Sequence, residues 1–197
     1  MPTYDNMIEA LCTQSFCLID DFLPASDYQG LKNHLLDLQH QQQLQPAGIG
    51  RNAQQNQVIR KDLIHWIDEQ TANHAEASYL DAMHEMAAQF NRHLFTGLDT
   101  YECHYAVYQP NSFYKKHVDQ FQGNQDRQIS CVLYLNENWQ NEEGGQLRLY
   151  NEQDEPITEI NPTGNRLICF RSHLPHEVLT AQKTRRSIAG WFKVRQQ

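Results

Sequence analysis

Two histidines and a carboxylate, in His117-Val118-Asp119 and the distant His176, make up the ligand set that leaves open positions on a non-haem Fe(II) ion. On a β-strand, residues i and i+2 point to the same face. His117 and Asp119 would therefore enter one cavity together while Val118 turns away. His176 must arrive from another strand. Beyond it, Arg185-Arg186-Ser187 offers a fixed cation for the far carboxylate of a 2-oxo acid co-substrate.

The segments around these residues read as strands that could hold them. Cys103 to Tyr108 alternates, and Ile129 to Leu135 is strongly apolar. Gly144-Gly145 opens Gln146 to Tyr150, Arg166 to Phe170 precedes His176, and Ser187 to Val194 closes the chain. From about Thr100 onward, seven or eight short strands alternate with Gly, Pro, Asn and Asp clusters, a spacing typical of sandwiches and barrels. A jelly-roll barrel, lined by alternate residues of several strands, would bring the distant ligands together.

The first 95 or so residues carry helical patterns instead. Ser26 is the expected N-cap of a helix through Leu31, Leu35, Leu36 and Leu38. A second helix is expected from about Ala75 to Leu94, with Leu80, Met83, Met86, Ala87 and Phe90 on one stripe. Ser15 to Pro24 reads as a strand ended by proline. Gln39 to Gln57 is glutamine-rich, with Pro46, Gly48 and Gly50, and reads as a surface loop, a hairpin tip or a lid over a cavity. The expected architecture is a single α+β domain over 1–197. Its helix-rich part (1–99) packs on one sheet of a double-stranded β-helix, the jelly-roll barrel core (100–197).

The 197 residues suffice for a substantial core, and the net charge of −8 argues against a nucleic-acid partner. Cys12, Cys17, Cys103, Cys131 and Cys169 are odd in number and lack a Cys-x-x-Cys pair, so they read as reduced, mostly buried thiols of a cytoplasmic protein. Neither a signal peptide nor an apolar run long enough to span a membrane is expected.

Taken together, the sequence resembles the Fe(II)/2-oxoglutarate-dependent dioxygenases. Within them it is most similar to the prolyl 4-hydroxylase group, including the hypoxia-inducible-factor prolyl hydroxylases and their short bacterial relatives. The resemblance runs from about Gln57 to Trp191. It implies iron bound by His117, Asp119 and His176, and 2-oxoglutarate held by Arg185, nine residues beyond the distal histidine. It also implies a hydroxyl donor to the same carboxylate from Tyr134, in Tyr134-Leu135-Asn136, with Ser187 beside it. Tyr108, Tyr114, Trp191 and Arg127 match aromatic and basic positions near the substrate. Arg60, Asp62 and Trp66 match a segment beside the substrate loop. Gln120 to Asp126 and the glutamine-rich loop have no counterpart in the family.

The alternation supports this independently. Arg185, Ser187, Ala189 and Trp191 share one face, as do Ser130, Val132 and Tyr134. Arg186 points the opposite way, and Cys131, Leu133 and Leu135 are left to pack under the helices. The cofactors implied are Fe(II), 2-oxoglutarate and O2, with ascorbate as a further one. The reaction implied is hydroxylation of an exposed proline in a protein, with release of succinate and CO2, and elongation factor Tu is a candidate target. The same chemistry on a free amino acid or small metabolite is a competing function, and a non-catalytic metal- or ligand-sensing barrel is another. No membrane or nucleic-acid partner is expected. The presence of Asp119 favours hydroxylation over halogenation, which needs that ligand position open.

Overall fold

Period-two alternation in the C-terminal half produces two antiparallel sheets with an apolar layer between them. A computed structural model describes residues 4–48, 59–120 and 125–195. The N-terminal part contributes α1 (Tyr4–Thr13), β1 (Phe16–Ile19), α2 (Ala25–His40), β2 (Gln45–Pro46), β3 (Asp62–Trp66) and α3 (His74–Leu94). The strands that follow are β4 (Leu98–Tyr108), β5 (Tyr114–His117), β6 (Arg127–Tyr134), β7 (Leu147–Tyr150), β8 (Pro156–Ile160), β9 (Leu167–Arg171), β10 (His176–Val178) and β11 (Arg185–Val194). The larger sheet has seven strands in the order β1-β9-β6-β11-β4-β3-β2, and the smaller has four, β5-β10-β7-β8. This is the double-stranded β-helix layout. An isolated bridge from Arg60 to Tyr114 ties the β3 side of the larger sheet to β5, so the pair stays open rather than closing as a barrel among the described residues.

Strand β11 is the centre of the larger sheet. It pairs along its length with β4 on one side and β6 on the other. Its outer face gives Ile188 and Phe192 to a core shared with Cys131 and Leu133 of β6 and with the helices. Its inner face turns toward the smaller sheet. There Ala106, Tyr108, Ile168 and Phe170 meet Leu147, Leu149, Ile160 and Val178.

The helices cover the outer face. In α3, Tyr79, Leu80, Met83, Met86 and Phe90 are buried. Asn73 caps it, accepting from the backbone N–H groups of Ala75 (2.9 Å) and Glu76 (3.1 Å), while Glu76 accepts from the Asn73 N–H. Helix α2 buries Leu31, Leu35 and Leu38.

Several expectations need correction. Pro24, not Ser26, is the N-cap of α2; the helix starts at Ala25, and the Ser26 hydroxyl bonds Asp27 inside the first turn. The strand expected over Ser15–Pro24 stops at Ile19, because the chain reverses at Asp21 with φ 51°. Helix α1 and strand β3 were not anticipated. Part of the glutamine-rich stretch is strand, since Gln45 pairs with Ile64; residues 49–58 lie outside the described residues. All five cysteines are free thiols, and four are buried. Among the described residues, no helix is long and apolar enough to cross a membrane.

Gly190 marks the tightest approach under the helices. A Cβ there would stand 2.3 Å from the Tyr101 hydroxyl and 2.8 Å from the Cys103 Cβ. The Tyr101 hydroxyl is itself fixed to that of Tyr79 at 2.6 Å. Gly190→Ala should therefore destabilise the fold by about 1–3 kcal/mol through overpacking, read by denaturant titration. A stability unchanged from wild type would show that this layer gives way more easily than its geometry implies.

Candidate active site

Three side chains converge where β5 and β10 meet. His117 and His176 are direct partners across the two strands, with ring centroids 4.2 Å apart. Asp119 follows two residues after His117. Its backbone N–H donates to the Ser172 carbonyl (3.1 Å), which turns the side chain inward. Ligand atoms of the three lie within 4.8 Å of one another.

The hydrogen bonds prepare this cluster for a cation. The Nδ1 of His117 lies 2.7 Å from the Lys115 carbonyl, and that of His176 lies 2.9 Å from the Leu174 carbonyl. A carbonyl only accepts, so both Nδ1 atoms carry the proton. Each Nε2 faces Asp119, at 3.7 and 3.5 Å. Burial pushes the His117 imidazole down to about 3, with the charge of His176 adding to the effect, so His117 is neutral. Burial opposes ionisation of Asp119, but His176, His117, the Ser130 hydroxyl and the Trp191 indole together hold its carboxyl below the usual carboxylate range. Two imidazoles and a carboxylate in this arrangement fit Fe(II).

Ser130 and Ser172 act behind the triad and were not singled out from the sequence. The Ser130 hydroxyl donates to Asp119 Oδ2 at 2.6 Å, and Ser172 Oγ lies 2.9 Å from Ser130 Oγ. With its proton on Asp119, Ser130 accepts from Ser172. The one signal in the sequence was that Ser130 shares a strand face with Tyr134.

A second cluster sits at the start of β11. Arg185 is 1% exposed, yet it makes no ion pair among the described residues. Its Nε donates to the Gly145 carbonyl (2.9 Å) and its Nη1 to Ser187 (3.2 Å). The guanidinium lies between the rings of Tyr108 and Tyr134, 5.0 and 5.1 Å from their centroids. The Tyr134 hydroxyl is buried and closes no hydrogen bond among the described residues. A buried cation is costly without an anion, and an orphan hydroxyl adds to that cost. Both would be satisfied by a carboxylate entering from the cavity.

That cavity has a volume of about 720 Å³ and joins the two clusters. Its wall carries His117, Asp119, His176, Arg185, Ser187, Tyr108, Tyr114, Arg127, Trp191, Arg60 and Trp66. Tyr134 and Asp62 do not reach the wall. Tyr134 packs beside Arg185, and Asp62 is held by Arg60, whose Nε donates to it at 2.7 Å. Arg60 stands over the Tyr114 ring (4.4 Å), and Tyr114 stacks on His117 at 3.6 Å. At the other end of β11, Arg127 lies over Trp191 (3.7 Å) and pairs with Glu102 (2.8 Å). Trp66 is half exposed and flanks both Trp191 and His104. Tyr108 is thus separated from the Arg127–Trp191 wall by most of the length of β11, because it pairs with Arg185. His104 also lines the cavity; burial pushes it down to about 3, so it is neutral.

Fold and site together place a His-Asp-His cluster that could hold a metal ion in the same cavity as a buried arginine. The family model of the 2OG-Fe(II) oxygenase superfamily matches residues 103–193. A prolyl-4-hydroxylase from Pseudomonas putida superposes with a TM-score of 0.89 at 36% identity, covering 98% of this chain and 100% of that one. A prolyl hydroxylase from Trichoplax adhaerens, solved with a hypoxia-inducible-factor peptide fragment, gives 0.87 at 26%, covering 96% and 88%. Egl nine homolog 1 of Rattus norvegicus is 26% identical over 198 residues, 95% of this chain. The chain spans 58% of the length of that rat relative. It belongs to the 2OG-Fe(II) oxygenases of prolyl hydroxylase type, the family whose metal is Fe(II) and whose co-substrates are 2-oxoglutarate and O2.

Ser130→Ala should lower Fe(II) affinity by roughly ten- to a hundredfold, the usual cost of losing a hydrogen bond behind a metal ligand. Anaerobic competition titration would measure it, and Ser130→Thr should restore most of the loss. Undiminished affinity in Ser130→Ala would mean that Asp119 is held by other contacts.

Proposed function

We propose that this chain hydroxylates a prolyl residue in a protein, using iron held by His117, Asp119 and His176 and 2-oxoglutarate anchored by Arg185. The observation that carries the proposal is the buried Arg185, without an ion pair among the described residues, in the same cavity as the triad. The similarity to prolyl hydroxylases supports the substrate class.

Each residue has a defined task in this scheme. Arg185 binds the far carboxylate of the co-substrate, and the Tyr134 hydroxyl is available to donate to the same group. Ser187 holds the guanidinium in line. His117 and His176 present their Nε2 atoms, and Asp119 supplies the negative charge that a divalent cation requires. Bound iron supplies the oxygen activation, with oxidation of 2-oxoglutarate to succinate and CO2 as the coupled half of the reaction. Leu147, Phe170 and Val178 line the cavity with apolar surface that limits water.

The substrate would approach along the rim formed by Trp66, Arg127 and Trp191. An open rim with an exposed tryptophan suits a polypeptide better than a free amino acid. The segment from Leu44 to Val58, mostly outside the described residues, leads into Arg60 and is proposed to fold over the bound peptide. Elongation factor Tu is the candidate target suggested by the resemblance to short bacterial prolyl hydroxylases.

Arg185→Ala should weaken 2-oxoglutarate binding by roughly ten- to a hundredfold, since a charge-assisted contact is worth about 1.5–3 kcal/mol. Arg186→Ala should do far less, and the reverse ranking in a succinate-production titration would reject the assignment. Proteomes from cells with and without the enzyme should differ by the mass of one oxygen on a specific proline; no such difference on any protein would favour a small-molecule substrate. Deleting residues 46–56 should spare iron and 2-oxoglutarate binding while sharply reducing hydroxylation of that protein. Full hydroxylation by the deletion variant would remove the segment from the mechanism.

A further inference from the structure

The opposite face of β11 opens on a second cavity, of about 360 Å³, formed with α2 and the turn after β6. Arg186, Lys32 and Lys183 line it, and Trp139, Leu36 and Leu135 give it an apolar side. In a chain of net charge −8, three cations around one small cavity stand out. Glu137 is the carboxylate in the lining. It pairs with Lys32 but is itself 62% exposed, so it sits on the solvent side. Lys183 pairs with Glu143 at 2.9 Å, outside the lining.

Arg186 is the least satisfied of the three. It is partly buried, and it makes no ion pair among the described residues. Its Nε donates to Gln39 (2.8 Å) and its backbone N–H to Asn136 (2.7 Å), which fixes the side chain and leaves the terminal guanidinium nitrogens for a ligand. Burial lowers the pKa of both Lys32 and Arg186, and the charge of Arg186 lowers Lys32 further. Arg186, with no ion pair among the described residues, would gain from an anion, and Lys32, though paired with Glu137, would add a second positive charge beside it. Planar guanidinium recognition of an oxyanion is bidentate, and low-dielectric walls focus the positive field.

We propose that this cavity is a second ligand site, separate from the active site, that takes a small oxyanion between Arg186 and Lys32. The alternation of β11 keeps it apart from the co-substrate, because Arg185 and Arg186 face opposite sides of the sheet. The cavity borders the active site through one wall. The Trp139 indole donates to the Gly144 carbonyl at 3.0 Å, next to the Gly145 carbonyl that orients Arg185.

The chain has three tryptophans, so the indole N–H signals provide a direct test. Inorganic phosphate would be titrated into the anaerobic iron-loaded protein saturated with 2-oxoglutarate, against sodium chloride at matched ionic strength. The Trp139 signal should shift saturably, while Trp66 and Trp191, which line the active cavity, should stay in place. Arg186→Gln and Lys32→Gln should each weaken the response at least about tenfold. Unmoved Trp66 and Trp191 signals in these variants would show that the fold is intact. A Trp139 response that chloride reproduces, that fails to saturate, or that survives Arg186→Gln would overturn the proposal. So would a response confined to Trp191.

Discussion

The register of β11 between β4 and β6 is the constraint on which the site depends. Two arginines stand side by side, and side chains alternate along a strand, so a one-residue slip would exchange them. Pairing on both edges fixes the outcome: Ser187 lies opposite Ala106 on one side and Tyr134 on the other. Burial of Ile188 and Phe192 against the helices locks it, at roughly 1.5–3 kcal/mol per fully buried side chain. With that register, Arg185 enters the cavity and Arg186 leaves it. Tyr134 and Ser187 then flank the guanidinium because they share its row.

The charges follow from the same geometry. The smaller sheet and the turn after it deliver two imidazoles and a carboxylate, and the larger sheet delivers a cation with no ion pair among the described residues. Neither cluster is balanced by itself. A divalent metal chelated by a dicarboxylate would complete both, with one end of the anion on the metal and the other on Arg185. Three of the buried polar atoms left without partners among the described residues, on Tyr134, His104 and Trp191, lie at or beside this cavity. A core evolved for stability alone would not retain them.

Much of this was legible in the sequence, for identifiable reasons. His117 and Asp119 were found because His-x-Asp spacing is a local property, although β5 ends at His117 and Asp119 lies just beyond the strand that was expected to hold both. The α3 stripe was found because helical periodicity is local too. Strand β3 was hidden because Asp62 to Trp66 mixes polar and apolar residues and gains its order from pairing with β4. The N-cap of α2 was misplaced because Ser26 is a good cap in general, whereas here Pro24 already has the extended backbone that ends at the helix. Ser130 and Ser172 were hidden because a serine reveals nothing until the carboxylate it touches is in place. The placement of Tyr108 beside Arg185, away from Trp191, required the register of two long strands that no local pattern encodes.

The central claim is that Arg185 exists to neutralise the far carboxylate of a 2-oxo acid whose other end lies at the iron. It is tested most directly by comparing anaerobic binding of 2-oxoglutarate with that of 2-oxobutyrate, which keeps the chelating end and lacks the far carboxylate, in the iron-loaded wild type and in Arg185→Ala. The structure predicts that wild type prefers 2-oxoglutarate by roughly ten- to a hundredfold and that the preference collapses in the variant. Equal binding of the two acids by wild type, or a preference that survives the loss of Arg185, would contradict it.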